Sequence, residues 1–397
     1  MRVAVVGGGI AGSMASLALR ARGVEPLIFD LASGGGRLGG SSRGPRDSGA
    51  QFLRAKDERF RQVLSLLESQ NVVQKWKGRF GILGSHRGGF LPKADIPPQM
   101  GGGEAKRKVL RDSGDFCGFL EGQGGELYVG TRDNSAVCKG ILSMAALTED
   151  HLRLGRRVRR VELCESAGWR VFSTPAHGQG EDSEYVDAVL IATHDPQMAA
   201  DALQHIASRP LSPPIKERLA DLESRLRRLR DDARTPVCTL SVRFEASLPN
   251  VPFDAAALPN SDYFQFIARE ASKPGRLDLH QWTAISTSAL SAEMASREAE
   301  CQGPEDRTEL LSAELVRLLA QFGEKPVLKF ASTKTWSHAF SDGDVQGWSR
   351  SSEASVVLEP FRLGIAGDFI ADACCPVEAA ALSGLEAGQR IAHLLTQ

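Results

Sequence analysis

The chain has 397 residues, enough for two domains or one elaborated domain. At 42% hydrophobic and 24% charged it has an ordinary globular composition, and a net charge of −1 gives no reason to expect nucleic acid or an anionic membrane as partner. Seven cysteines without C-x-x-C spacing argue against a disulfide framework and against a metal site, and no apolar run reaches the length of a membrane span.

In chain order, Arg2-Val3-Ala4-Val5-Val6 is a β-branched run that predicts a strand. It leads directly into Gly7-Gly8-Gly9-Ile10-Ala11-Gly12 and a helix over residues 13–20. A second apolar run, Pro26-Leu27-Ile28-Phe29, ends in Asp30, roughly twenty residues past the glycines, the order that a βαβ nucleotide fold requires. Gly7 permits the tight turn, Gly9 lets the backbone approach a pyrophosphate, and Gly12 lets helix and strand pack closely. The helix start, with Ile10 and Ala11, offers free N–H groups and a partial positive charge to phosphate. Asp30 is placed to accept hydrogen bonds from ribose hydroxyls. Because this strand begins at residue 2, no leader peptide is expected ahead of it and a cytoplasmic location is; a plastid stays open for a processed chain.

A glycine loop over residues 33–40 follows, then a helix over 56–70 with Phe60, Val63, Leu64 and Leu67 at helical spacing. Residues 84–125 are rich in Gly, Pro and Lys and read as long loops or an insertion with little core of its own. Beyond them are a strand start at 126–129, a helix over 134–147 and two meander strands at 158–163 and 168–172. Residues 187–193 form the continuous apolar run of a buried parallel strand. Dense charge over 215–234 predicts an exposed helix, and the basic clusters at 153–160 and 225–230 read as solvated faces. Strands at 237–244, 263–269 and 281–287 would make a second sheet, and a helix over 309–322 would bury Leu310, Leu311, Leu315, Leu318 and Leu319. The last unit is a strand at 363–366, Gly367-Asp368, and a helix over 377–395. The vicinal pair Cys374-Cys375 reads as small, semi-buried residues. The chain is therefore α/β with an α+β substrate part. A Rossmann-like domain, discontinuous in sequence (1–70, 126–204 and 356–397), would carry the cofactor, and the expected substrate domain is a mixed sheet plus helices (71–125 and 205–355).

Several blocks agree with one family. The chain resembles renalase-like FAD/NAD(P)-binding oxidoreductases of the flavin-containing amine oxidase superfamily, including their plant and algal relatives. The likeness is strongest in residues 5–12, Gly35-Gly36-Arg37, Asp47-Ser48-Gly49-Ala50-Gln51-Phe52, Tyr128-Val129-Gly130, 187–193, Trp336 and 363–384, and poorest in 84–125 and 208–234. It implies noncovalent FAD. Gly36 and Arg37 would lie by the phosphates, where a guanidinium makes a charge-assisted contact. Gly49, Ala50, Gln51 and Phe52 would lie along the isoalloxazine face, and a strand backbone at Val158 would hold the adenine, with Arg156 and Val161 as alternative registers. Gly367 and Asp368 would sit near the ribityl chain, and the helix opened by Pro376-Val377 would aim its N–H groups at the flavin.

Three departures stand out. Asp30 replaces the family's usual Glu, no cysteine falls in the segment used for covalent attachment, and with only three tyrosines the aromatic pair that clamps amines is not visible. Trp336 and His338 are the candidate catalytic residues, Trp336 as a cavity wall and His338 as either a catalytic or a structural histidine. The turn Lys273-Pro274-Gly275-Arg276 would either contact an anionic substrate or face solvent. The activity implied is oxidation of a small reduced substrate, such as a dihydronicotinamide isomer, by hydride transfer to flavin N5 with O2 as acceptor. The alternatives are an amine or polyene oxidoreductase, or a flavin-binding protein acting through a partner.

Overall fold

The computed structural model describes residues 1–39, 47–84, 89–96, 116–120, 126–165, 168–232, 234–276, 280–299, 304–341, 354–370 and 375–397. Val3, Ala4 and Val5 are wholly buried and Val6 nearly so, because Arg2–Val6 lies inside a parallel sheet covered on both faces. The strand order is Val356–Leu358, Leu363–Ile365, Ala188–Ile191, Arg2–Val6, Glu25–Asp30, Leu152–Leu154, and only Val356–Leu358 runs antiparallel. This is the α/β arrangement expected, with the last strand of the chain brought within one strand of the first.

One face of the sheet carries the helices Ile10–Arg20 and Pro376–Thr396, which approach backbone to backbone: a Cβ on Gly384 would lie 1.9 Å from the Ala11 carbonyl oxygen. The other face carries a meander of Arg156–Leu163, Trp169–Pro175 and Asp182–Val186, plus the helices Gln197–Ala207 and Pro213–Asp232. The helix Pro213–Asp232 is not simply exposed. Its Leu219, Leu222, Leu226 and Leu229 recur at helical spacing and are buried, while the charges that dominate its composition occupy the other side. The basic cluster at 153–160 is charge-compensated at the surface by Arg153–Glu184 (2.7 Å), Arg156–Asp182 (2.5 Å) and Arg160–Glu181 (2.7 Å).

The second sheet has seven strands in the order Leu328–Ser341, Arg234–Phe244, Gln281–Ser286, Phe264–Arg269, Ala255–Ala257, Phe80–Leu83, Phe90–Pro92. The helix Pro304–Ala320 packs here through Leu311, Leu315, Leu318 and Leu319; Leu310, expected on the same face, is 39% exposed because it lies one residue round the helix from the stripe. Within the region expected to have little core, residues 85–88, 97–115 and 121–125 lie outside the described residues. The rest departs from expectation: Phe90–Pro92 extends the second sheet, and Phe119 is fully buried against Phe52, Phe80 and Phe266. No helix among the described residues is long and apolar enough to cross a membrane.

Candidate functional site

A cavity of about 660 Å³ lies at the carboxyl ends of the parallel strands, closed from the other side by the seven-stranded sheet. Open α/β sheets place ligands at this edge. Of the residues singled out in the sequence, Gly7, Gly9, Ile10, Ala11, Asp30, Gly36, Arg37, Gly49, Ala50, Gln51, Phe52, Val158, Trp336, Gly367, Asp368 and Val377 line it. Gly12 and His338 do not. Gly12 instead serves packing, since a Cβ there would meet the Gly7 carbonyl oxygen at 1.9 Å.

The glycine turn is held by its own backbone and by Asp30. Gly7 has φ +111°, a conformation that favours glycine, and donates its N–H to the Phe29 carbonyl at 2.8 Å. Asp30 accepts from the Gly8 N–H at 2.7 Å through one oxygen and from the Ala32 N–H at 2.8 Å through the other, so its first task is to pin two loops together at the cavity rim. A Cβ on Gly9 would meet nothing nearer than the Gly36 Cα at 3.8 Å. Gly9 thus forms an open cradle at the start of a helix whose first turn carries no acid.

Arg37 and Asp368 are brought together as a bidentate ion pair, with Nη2 to Oδ1 at 2.5 Å and Nη1 to Oδ2 at 2.9 Å, and Nη1 also donates to the Ala339 carbonyl at 2.9 Å. Asp368 is only 4% exposed. Three separate segments of chain therefore meet at one guanidinium. Arg156 and Val158 both line the cavity, whereas Val161 is in the core beneath the meander. At the start of the last helix, Cys375, Pro376, Val377 and Ala380 face the cavity. Glu378 is turned away from it, accepting the Lys56 and Asp57 N–H groups at 2.6 and 2.7 Å. Cys374 lies outside the described residues.

The far end of the cavity is walled by Phe52, Phe116, Trp336 and Phe340, and none of the three tyrosines lines it. Trp336 donates from Nε1 to the Ser48 carbonyl at 2.6 Å. Lys334, not singled out in the sequence, sits here too: its ammonium is 3.9 Å from the Trp336 ring centroid and donates to Ser48 Oγ at 3.2 Å. Burial pushes its pKa down. The signal was local: Lys334 and Trp336, two residues apart on the strand Leu328–Ser341, share a face, whereas the register shifts between Trp336 and Phe340. His338 stands against His194, ring centroids 6.3 Å apart; His194 is the one on the cavity wall.

The turn at Lys273-Pro274-Gly275-Arg276 neither contacts the cavity nor faces solvent with its charges. Lys273 and Arg276 are 1% and 5% exposed, and their charged ends meet Asp47 and Glu270. Burial alone would raise the Glu270 carboxyl, but the Lys273 and Arg276 charges outweigh it and hold it well below the usual carboxylate range.

No family model matches the sequence. Solved structures do match it along its whole length. Cyclohexylamine oxidase from Brevibacterium oxydans IH-35A is 15% identical at a TM-score of 0.66, over 100% of this chain and 99% of that one. A protoporphyrinogen oxidase-like protein from Exiguobacterium sp. 255-15 is 13% identical at 0.65, again over 100% and 99%. A putrescine oxidase redesigned in its cofactor binding is 14% identical at 0.63, over 100% and 98%. The chain has the fold of these oxidases. At such identities the likeness speaks for the architecture, and the chemistry has to be argued from the cavity.

Proposed function

We propose that the chain is a FAD-dependent oxidoreductase of the flavin-containing amine oxidase superfamily, an oxidase of a small reduced substrate with O2 as acceptor. The observation that carries this reading is the convergence, on one cavity, of the glycine turn, Asp30, the Arg37–Asp368 pair, the strip 49–52 and the start of the last helix. The cradle at Gly9, which a side chain would fill, fits a pyrophosphate lying across the helix start. In this reading Ile10, Ala11 and Arg37 hold the phosphates, Asp30 the ribose, Val158 with Arg156 the adenine, and Asp368 the ribityl chain. The strip Gly49, Ala50, Gln51 and Phe52 backs the isoalloxazine ring, and the Val377 N–H faces it. FAD supplies the ring that accepts a hydride equivalent. The protein's part is binding, orientation and exclusion of water by Phe52, Phe116, Trp336 and Phe340, with Trp336 as a wall and His338 standing behind His194. The division into a cofactor domain (1–70, 126–204, 356–397) and a substrate domain (71–125, 205–355) belongs to the same reading.

Attachment is proposed to be noncovalent. Cys375 lines the cavity, but burial pushes its thiol up, away from the thiolate needed for a covalent link. A neutral reduced substrate such as a dihydronicotinamide isomer suits the far end better than a protonated amine. Phenylalanines and Trp336 wall it, Lys334 contributes a positive charge, and Asp368 on the cavity wall is already paired with Arg37. The expected result is a yellow protein whose flavin is released by denaturant, bleached anaerobically by dihydronicotinamide isomers, and restored by air with formation of peroxide. Bleaching by simple amines alone would shift the substrate class to amines; a protein that binds no FAD would overturn the proposal.

A further inference from the structure

Behind the strip 49–52 lies a closed set of four charges, Asp47, Glu270, Lys273 and Arg276, each no more than 5% exposed. Such a set is a poor way to gain stability, since well-packed apolar residues of the same volume do as well or better. Its connections are directional instead. Lys273 Nζ donates to Glu270 Oε1 (2.8 Å), Asp47 Oδ2 (3.2 Å) and Gln51 Oε1 (3.1 Å), which accounts for all three of its protons. An ammonium has only donors, so the Gln51 carbonyl oxygen must face Lys273, and the amide nitrogen is directed at the Asp47 carbonyl (2.7 Å) and the Gly49 carbonyl (2.9 Å). Asp47 Oδ1 meanwhile accepts the Asn134 N–H at 2.8 Å, and Asn134 Nδ2 takes the Ala50 carbonyl at 2.7 Å. The Ser48 carbonyl is taken by Trp336 Nε1 and by Thr239 Oγ1 at 2.7 Å. Four successive carbonyls, at residues 47 to 50, are thus bound by side chains.

We propose that Lys273 is a positioning residue that, through Gln51, holds the Asp47 and Gly49 backbone carbonyls away from the bound flavin. The proposal rests on the FAD reading above. A carbonyl oxygen carries partial negative charge, and a reduced flavin is itself negative around its pyrimidine edge, so carbonyls left loose beside the ring disfavour reduction. Lys273 does not line the cavity; its influence passes through the Gln51 amide. The arrangement also joins two parts of the chain far apart in sequence, since Lys273 and Gln51 are 222 residues apart.

The test uses three holoproteins: wild type, the charge-balanced double variant Glu270→Gln/Lys273→Met, and Gln51→Met, which leaves all four charges in place. FAD affinity is read by reconstitution, and the midpoint potential by anaerobic titration against a reference dye. Both variants are expected to bind FAD at least tenfold more weakly. Both should also favour reduced over oxidised flavin tenfold less, which is about 30 mV more negative for a two-electron couple. A purely structural role would lower thermal stability and leave the potential of the folded, flavin-loaded protein in place. If the double variant does not fold, Lys273→Gln, which leaves Gln51 itself in place, decides by the same two measurements. Variants that load FAD with wild-type affinity and potential would overturn the positioning role while leaving the FAD reading intact, whereas a wild-type protein that takes up no FAD would overturn both.

Discussion

Gly9→Val protein is expected to fold and to purify without flavin. The backbone at Gly9 is extended, φ −77° and ψ −170°, which any residue adopts, and its Cβ would find open space with only the Gly36 Cα at 3.8 Å. The cost to the fold is confined to a poorer helix N-cap, about 1 kcal/mol. The isopropyl group would occupy the place assigned to the pyrophosphate and block the approach of the first-turn N–H groups, so affinity should fall by about three orders of magnitude or more, roughly 4 kcal/mol. Circular dichroism and thermal unfolding should match wild type while the visible flavin absorbance is lost. Gly7 and Gly12 cannot serve for this experiment: Gly7 has φ +111°, and a Cβ on Gly12 would lie 1.9 Å from the Gly7 carbonyl oxygen, so changes there would damage the fold as well as the site. A yellow Gly9→Val protein would remove the glycine turn from the cofactor site.

Breaking the Arg37–Asp368 pair should cost both stability and cofactor, and the two halves should not cost the same. Asp368 is 4% exposed while the Arg37 side chain keeps 25% of its surface in water. Asp368→Ala therefore strands a guanidinium that water still reaches, a loss of about 1–3 kcal/mol. Arg37→Ala strands a buried carboxylate, for which about 3–5 kcal/mol is the expected scale. The double variant should be less damaged than the sum of the singles, because each single leaves a partner without its counter-charge. FAD affinity should drop at least tenfold in every case. Additive losses in urea unfolding would mean that the pair contributes nothing as a pair, and unchanged FAD affinity in Asp368→Ala would take that residue out of the site.

The parts legible in the sequence are those whose cause is local. The glycine turn is written in six consecutive residues, and the buried run at 188–191 needs only its own apolar side chains to declare a central strand. What failed to show depends on partners far along the chain. Lys273 and Arg276 read as a turn that either contacts an anionic substrate or faces solvent, because one of the two acids that bury them, Asp47, is 226 residues from Lys273 and nothing local marks Glu270 as buried. The helix Pro213–Asp232 hid its leucine stripe under a high charge content, and the third meander strand, Asp182–Val186, is mostly polar because it lies at the sheet edge. Lys334 was visible as a residue but not as a cavity wall, since nothing before the register of Leu328–Ser341 against Arg234–Phe244 says which face turns inward.

The pairing of Leu363–Ile365 with Ala188–Ile191 has a bearing on how the protein is made. Arg37 and Asp368 are 331 residues apart, and a ribosome moving at about 5–20 residues per second needs roughly 15–65 s to cover that interval. Once made, Ala188–Ile191, all four residues buried in the finished fold, stands as an open apolar edge until Leu363–Ile365 follows, and the Ala11 side of the helix Ile10–Arg20 lacks its cover throughout. Early folding can therefore yield only half of the cavity, exposed to chaperones and to aggregation, and on the proposed reading FAD loading has to wait for the last segment. A premature stop ahead of residue 363 would leave a sheet that cannot close, and such products should be cleared by proteolysis rather than persist as weak enzymes.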